Sequence, residues 1–217
     1  MGLKVTKDDI IRALLDESFM RSTGSTSLKD IADKVGIKKA SLYNHFESRE
    51  DLVKQTFASC SEYLAAVTFT PKDIDAVSKK YPPEVVLKGI VNRYFKMHEK
   101  TPLFQIYTFV ESQKYFCKEA YDITSREDKK IFAQSKLVFK SLETFAKIKI
   151  RPYGLDSTTQ WFCSGIKNML EGYLLSKKQI VLNNPASGEG ELFSLPEENN
   201  GLEQVDQFID SFVANLK

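Results

Sequence analysis

Six residues crowded between positions 38 and 45 carry the most suggestive chemistry of the 217-residue chain: Lys38, Lys39, Ser41, Tyr43, Asn44 and His45. Lysine ammonium groups suit phosphates or the acceptors of guanine. A carboxamide such as that of Asn44 can pair with adenine through two hydrogen bonds, and the Tyr43 phenol can donate to a phosphate. Leu42 and Phe46 interrupt the set at a spacing of four, so one side of a short helix is apolar and the other is a row of donors.

Such a row needs a brace. A helix from about Ser27 to Val35 places Leu28, Ile31, Ala32 and Val35 on one face, and Gly36 follows where a helix end favours a residue tolerant of positive φ. A second helix over about Lys38–His45 completes two short helices joined by a tight glycine turn, the helix-turn-helix arrangement. Helices over Thr6–Met20 and Ser48–Ala66 flank the pair. Thr6-x-x-Asp9, Ser27-x-x-Asp30 and Ser48-x-x-Asp51 are three capping-box signals that start helices.

Farther along, apolar spacings of three and four and the punctuation of Pro71, Pro82, Pro83 and Pro102 predict helices over about 71–80, 83–100, 102–120, 125–149, 156–178 and 202–216. The fold class expected is all-α, with three short helices over 1–50 followed by longer ones over 51–217. The stretch 183–201, rich in acids and containing Pro185, Gly188, Gly190 and Pro196, is expected to be a loop.

Composition narrows the classes. The formal charge is +2, so contact with nucleic acid must come from a local patch. Residues 34–49 supply one, with Lys34, Lys38, Lys39 and Arg49 against Glu47 alone. No apolar run approaches the roughly 18 residues a membrane span needs, and the N-terminus has no signal-peptide pattern. Cys60, Cys117 and Cys163 are isolated thiols, consistent with small buried hydrophobes in a cytoplasmic protein. Two histidines leave little for a metal site, no cofactor is expected, and no phosphate-binding, nucleophile-elbow or metalloprotease motif suggests an enzyme.

The run from Thr26 to Ile37, followed by Ala40-Ser41-Leu42-Tyr43-Asn44-His45-Phe46-Glu47-Ser48-Arg49-Glu50-Asp51-Leu52-Val53, resembles the DNA-binding domain of the TetR/AcrR family of bacterial regulators. The resemblance covers about residues 6–56. It implies an all-helical homodimer, with a three-helix helix-turn-helix DNA-binding domain over 1–50 and a helical effector-binding and dimerisation domain over 51–217, that binds a palindromic operator in double-stranded DNA and is released by a small-molecule effector. Ser27 and Tyr43 would be phosphate contacts, Lys39, Ser41 and Asn44 would face base edges, and His45 and Arg49 would touch the backbone. Two departures stand out: Lys38 replaces a small capping residue, and Arg49 replaces a lysine. Lys38 opposes the helix dipole, a cost a nearby phosphate would offset.

The aromatic-rich middle is either core packing or the lining of an effector pocket for an apolar or aromatic molecule. The candidates are Phe104, Tyr107, Tyr115, Trp161 and Tyr173, with His98 and Glu111 as polar additions. Phe162, Ile166 and Met169 on one late helix and Val205, Ile209 and Phe212 on the last form stripes. These would meet a second copy in a dimer bundle or simply cover the chain's own core. Two other readings stay open: a same-fold adaptor or nucleoid factor without an inducer, and an all-α enzyme or carrier.

Overall fold

The computed structural model describes residues 5–150, 153–183 and 200–216, and the elements among them are ten α-helices. They are α1 (Lys7–Arg21), α2 (Leu28–Lys34), α3 (Lys39–Leu42), α4 (Arg49–Ala66), α5 (Ile74–Lys80), α6 (Pro83–His98), α7 (Leu103–Gln113), α8 (Lys118–Thr144), α9 (Leu155–Asn183) and α10 (Asn200–Ala214). The fold is all-α, as expected. Most of the expected 183–201 loop lies outside the described residues.

Local chemistry accounts for the early boundaries. Thr6 accepts from the Asp9 backbone while the Asp9 carboxylate returns to the Thr6 backbone, and Ser27 and Asp30 repeat the exchange at α2. Ser48 caps α4 by accepting from the Asp51 backbone. The Asp51 carboxylate instead takes the Glu47 backbone N–H at 3.0 Å and the Gln55 amide at 3.0 Å, so this third box is one-sided. At the end of α2, Gly36 takes φ 71°, and the Ile37 N–H reaches back to the Ala32 carbonyl at 3.0 Å, closing the helix with a left-handed residue.

The described residues group into two compact units: those up to Val67 together with Thr101–Glu127, and Thr68–Lys100 together with those from Asp128 on. This grouping follows contacts rather than chain order, so it differs from the expected division by role at residue 50. In the first unit α1 is central and packs on α2, α4 and α7. Its core contains Ile10, Leu14, Ile31, Leu42, Phe46 and Leu52, with Phe19 edge-on to Phe104 at 4.8 Å and Phe57 against Phe109 at 4.7 Å.

In the second unit α6 packs on α5, α9 and α10. Phe139, Phe162 and Phe212 form an aromatic centre with ring separations of 5.1 to 5.6 Å. Gly165 lets α10 come close, since a methyl group there would collide with the Phe208 ring. Polar clamps add register: Lys88 with Asp210 at 2.7 Å and Asn92 with Asp206 at 2.9 Å join α6 to α10. The segment after α4 is held by Arg93, which donates to the Phe69 carbonyl at 2.6 Å, and by Gln134, which accepts from the Phe69 N–H at 2.6 Å.

Two expected helices are redrawn. The helix expected over 102–120 ends at Gln113, and that expected from 125 starts at Lys118. The intervening turn contains neither glycine nor proline. The Cys117 thiol there accepts from the Ala120 backbone at 3.4 Å, a cap that ordinary start signals do not include.

Candidate nucleic-acid interface

α3 is a single α-turn. It continues through looser turns in which Tyr43, Asn44 and His45 donate to carbonyls three residues back. It is therefore shorter than the helix expected over 38–45, but its two faces divide as its residues require. Leu42 and Phe46 are buried, at 2% and 4% exposure, and α2 braces them through Ile31 and Ala32, both buried. Lys7, the first residue of α1, adds a cation 5.3 Å from the centre of the Phe46 ring and donates to Gln55 of α4 at 3.2 Å.

The opposite face carries the donors. Lys38, Lys39 and Asn44 are exposed, Tyr43 is 53% exposed, and Ser41 and His45 are half-exposed. Lys38 sits at the N-cap of α3 without a side-chain cap bond, leaving its ammonium outward. Ser27 is exposed at the start of α2. Its backbone and side chain both donate to Asp30, at 2.8 and 2.7 Å, and those bonds hold the Asp30 carboxyl below its ordinary pKa. That cap keeps the α2 N-terminus, with its outward N–H groups, in place beside α3.

Arg49 is engaged inward. Its Nη2 donates to the Thr23 carbonyl at 2.5 Å and to the Thr26 carbonyl at 3.1 Å. Sequence spacing held no signal for these acceptors, because they are backbone groups of the turn between α1 and α2.

The expected effector residues do not share one unit. Phe104 is buried against Phe19, Tyr107 is half-buried and Tyr115 is 83% exposed, all in the first unit. Trp161, half-exposed against Phe212 at 4.8 Å, and Tyr173, buried, belong to the second. Tyr173 donates to Glu99 at 2.7 Å, and both burial and that carboxylate raise its pKa. Glu99 was not expected from sequence; it also pairs with Lys177 at 3.6 Å. His98 is buried with Nδ1 2.9 Å from the Tyr94 carbonyl, and burial pushes its pKa down to about 4. Glu111 is bound by Lys114 at 2.7 Å and Thr124 at 3.1 Å.

The stripes expected at a dimer interface lie largely inside the second unit. Phe162, Ile166, Val205, Ile209 and Phe212 are buried in the second unit's own core, and Met169 is half-buried. Surface already removed from water inside one chain gains nothing from a second copy. The alternative, that both stripes cover the chain's own core, describes these residues.

Burial raises the pKa of all three thiols, that of Cys60 to about 12, which suits inert small hydrophobes rather than nucleophiles. Among the described residues no cluster of metal-ligating side chains occurs, and no helix is long and apolar enough to cross a membrane.

A braced short helix with an outward row of lysine, tyrosine and asparagine defines a helix-turn-helix protein. Residues 7–56 match the family Bacterial regulatory proteins, tetR family. Over 58 residues the chain is 41% identical to the biofilm operon icaADBC HTH-type negative transcriptional regulator IcaR of Staphylococcus aureus (strain Newman), covering 27% of this chain. The match spans 31% of that relative's length. The fold is similar along nearly the whole chain to a TetR transcriptional regulator from Legionella pneumophila, with TM-score 0.60, 17% identity and all of both chains covered. The FadR regulator of Bacillus subtilis in complex with stearoyl-CoA is also similar, with TM-score 0.57, 11% identity and 98% and 100% of the two chains covered.

Proposed function

We propose that the chain is a ligand-responsive transcriptional regulator, a repressor that binds a palindromic operator as a homodimer in the cytoplasm. The observation that carries this reading is the two-faced α3: Leu42 and Phe46 are buried while Lys39, Tyr43 and Asn44 are exposed. In this role Lys38, Ser27 and Tyr43 bind phosphates, Lys39, Ser41 and Asn44 face base edges, and His45 touches the backbone. One short helix reads only a few base pairs, and two copies spaced one helical turn of DNA apart multiply that specificity. The family's regulators and the icaADBC repressor support this class over an enzyme.

The second copy docks on the outward face of α9. Trp161, Asn168, Leu175 and Leu182 recur there at intervals of seven residues, and the three apolar ones are 46%, 59% and 40% exposed. Gly172, on the same exposed side, has open space beside it. The effector is a small, largely apolar or aromatic molecule taken up within 51–217, with Tyr173 the best placed of the candidates to offer an aromatic surface beside a polar group.

Selection of bound sequences from a random duplex pool tests the reading. The wild type should enrich a palindrome, and Tyr43→Ala should weaken binding to it about tenfold while the dimer stays folded. An effector with a coupling of roughly 1–3 kcal/mol should weaken it by about 5- to 150-fold. Normal operator binding by Tyr43→Ala would contradict the assignment of α3.

A further inference from the structure

The first residue of α4 faces away from the role that its place in the resemblance implies. Arg49 sends one guanidinium nitrogen to two carbonyls, those of Thr23 at 2.5 Å and Thr26 at 3.1 Å. Thr23 and Thr26 are both buried, so these carbonyls need a donor from within the protein. Thr26 directly precedes Ser27, the N-cap of α2, and Arg49 directly follows Ser48, the N-cap of α4. The bond from Arg49 to Thr26 therefore spans 23 positions and closes a segment that holds α2, the Gly36 turn and all of α3.

The turn it grips is strained. Ser22 adopts φ 93° and ψ 154°, a region that is essentially glycine's and that a serine keeps only where its surroundings over-determine it. Thr26 Oγ1 donates to the Ser22 carbonyl at 2.8 Å, and the Ser25 N–H donates to Ser22 Oγ at 3.4 Å. Arg49 supplies the only charged donor among these bonds, and charge-assisted hydrogen bonds are about twice as strong as neutral ones. A lysine offers a point charge on a flexible stem rather than a planar fork of donors, so it is a poorer fit to two carbonyls.

We propose that Arg49 is a positioning residue for DNA reading: it clasps the base of the α2–α3 segment and sets how α3 is presented, rather than binding a phosphate itself. This rests on the regulator reading above. Removal of the guanidinium frees the α1–α2 turn, lets α2 and α3 shift together, and blunts readout without removing a counterion-releasing contact.

The test uses the full chain as wild type, Arg49→Gln and Arg49→Lys, with the best duplex that the wild type selects from a random pool. Affinity is measured by fluorescence anisotropy from about 50 to 200 mM salt. Amide hydrogen exchange is recorded on the same three proteins without DNA. Arg49→Gln should bind about tenfold more weakly with a salt slope parallel to that of the wild type, and Arg49→Lys should recover part of the loss. Amides of residues 28–46 should exchange faster in Arg49→Gln, while those inside α1 keep their protection.

A slope flattened by about 0.9 per subunit would mark Arg49 as a phosphate ligand and overturn the proposal, as would wild-type affinity in Arg49→Gln. If the wild type selects no duplex, the regulator reading fails instead. The exchange data then decide by themselves whether Arg49 holds the segment: faster exchange over 28–46 supports the clasp and unchanged exchange overturns it.

Discussion

His98 is buried in the second unit, with Nδ1 on the Tyr94 carbonyl, its ring 4.2 Å from that of Tyr94, and the charge of Lys130 disfavouring protonation further. Its folded pKa of about 4 lies below the ordinary histidine value of 6.5. Between those values the unfolded chain holds the extra proton, so acidification favours unfolding there. The stability given up from pH 6.5 down to about 4 is on the order of 3 kcal/mol. Denaturant unfolding across that range should show the loss in the wild type and most of it gone in His98→Leu. The capping carboxylates Asp9, Asp30 and Asp51 are held below their ordinary values by hydrogen bonds, so their contributions persist through this window and fade at lower pH. At this scale the sequence was informative where a side chain's face follows from helical spacing, as for Leu42, Tyr43 and Asn44. It said nothing of Glu99 under Tyr173 or of the carbonyls under Arg49, because neither partner lies within a helical turn of the other.

Short helices at the N-terminus are held by their ends as much as by their packing. Ser27→Ala removes the acceptor for the Asp30 backbone and the side-chain donor to its carboxylate, so it should cost about 1 kcal/mol in thermal or chemical unfolding. It should also weaken DNA binding beyond that stability loss if the α2 N-terminus meets a phosphate. The starts of α1, α2 and α4 were legible because hydroxyl and carboxylate lie three residues apart, and the end of α2 because Gly36 follows it. The break between α7 and α8 was not legible: Lys114 to Cys117 carries aromatic and basic residues that suit a continuing helix, and a cysteine thiol serves as the cap. α3 was legible in its faces but not in its length. No cap stabilises its start, and its last residues settle into turns that still aim Tyr43 and Asn44 outward.

For the molecule as a whole, the stripes of α9 and α10 were legible as amphipathic, but spacing does not say whether an apolar stripe meets its own chain or another. With Phe162, Ile209 and Phe212 packed within one chain, Trp161, Leu175 and Leu182 are large apolar residues of α9 that stay exposed, on the face proposed to meet a second copy. Leu175→Glu places a charge in that face and should shift sedimentation from dimer to monomer while helicity is kept. Operator affinity should fall with it, because each half-site then binds alone. A net charge of +2 supplies little bulk attraction to DNA, so under the proposed function specificity would rest on the few side chains of α3. The decisive measurement is therefore a repeat of the random-duplex selection with Asn44→Ala beside the wild type. Both should return the same palindrome with the same spacing, and Asn44→Ala should lose its preference at a single base pair in each half-site, a discrimination of about 1–3 kcal/mol. An unchanged preference at every position would contradict the claim that the outward face of α3 reads the bases.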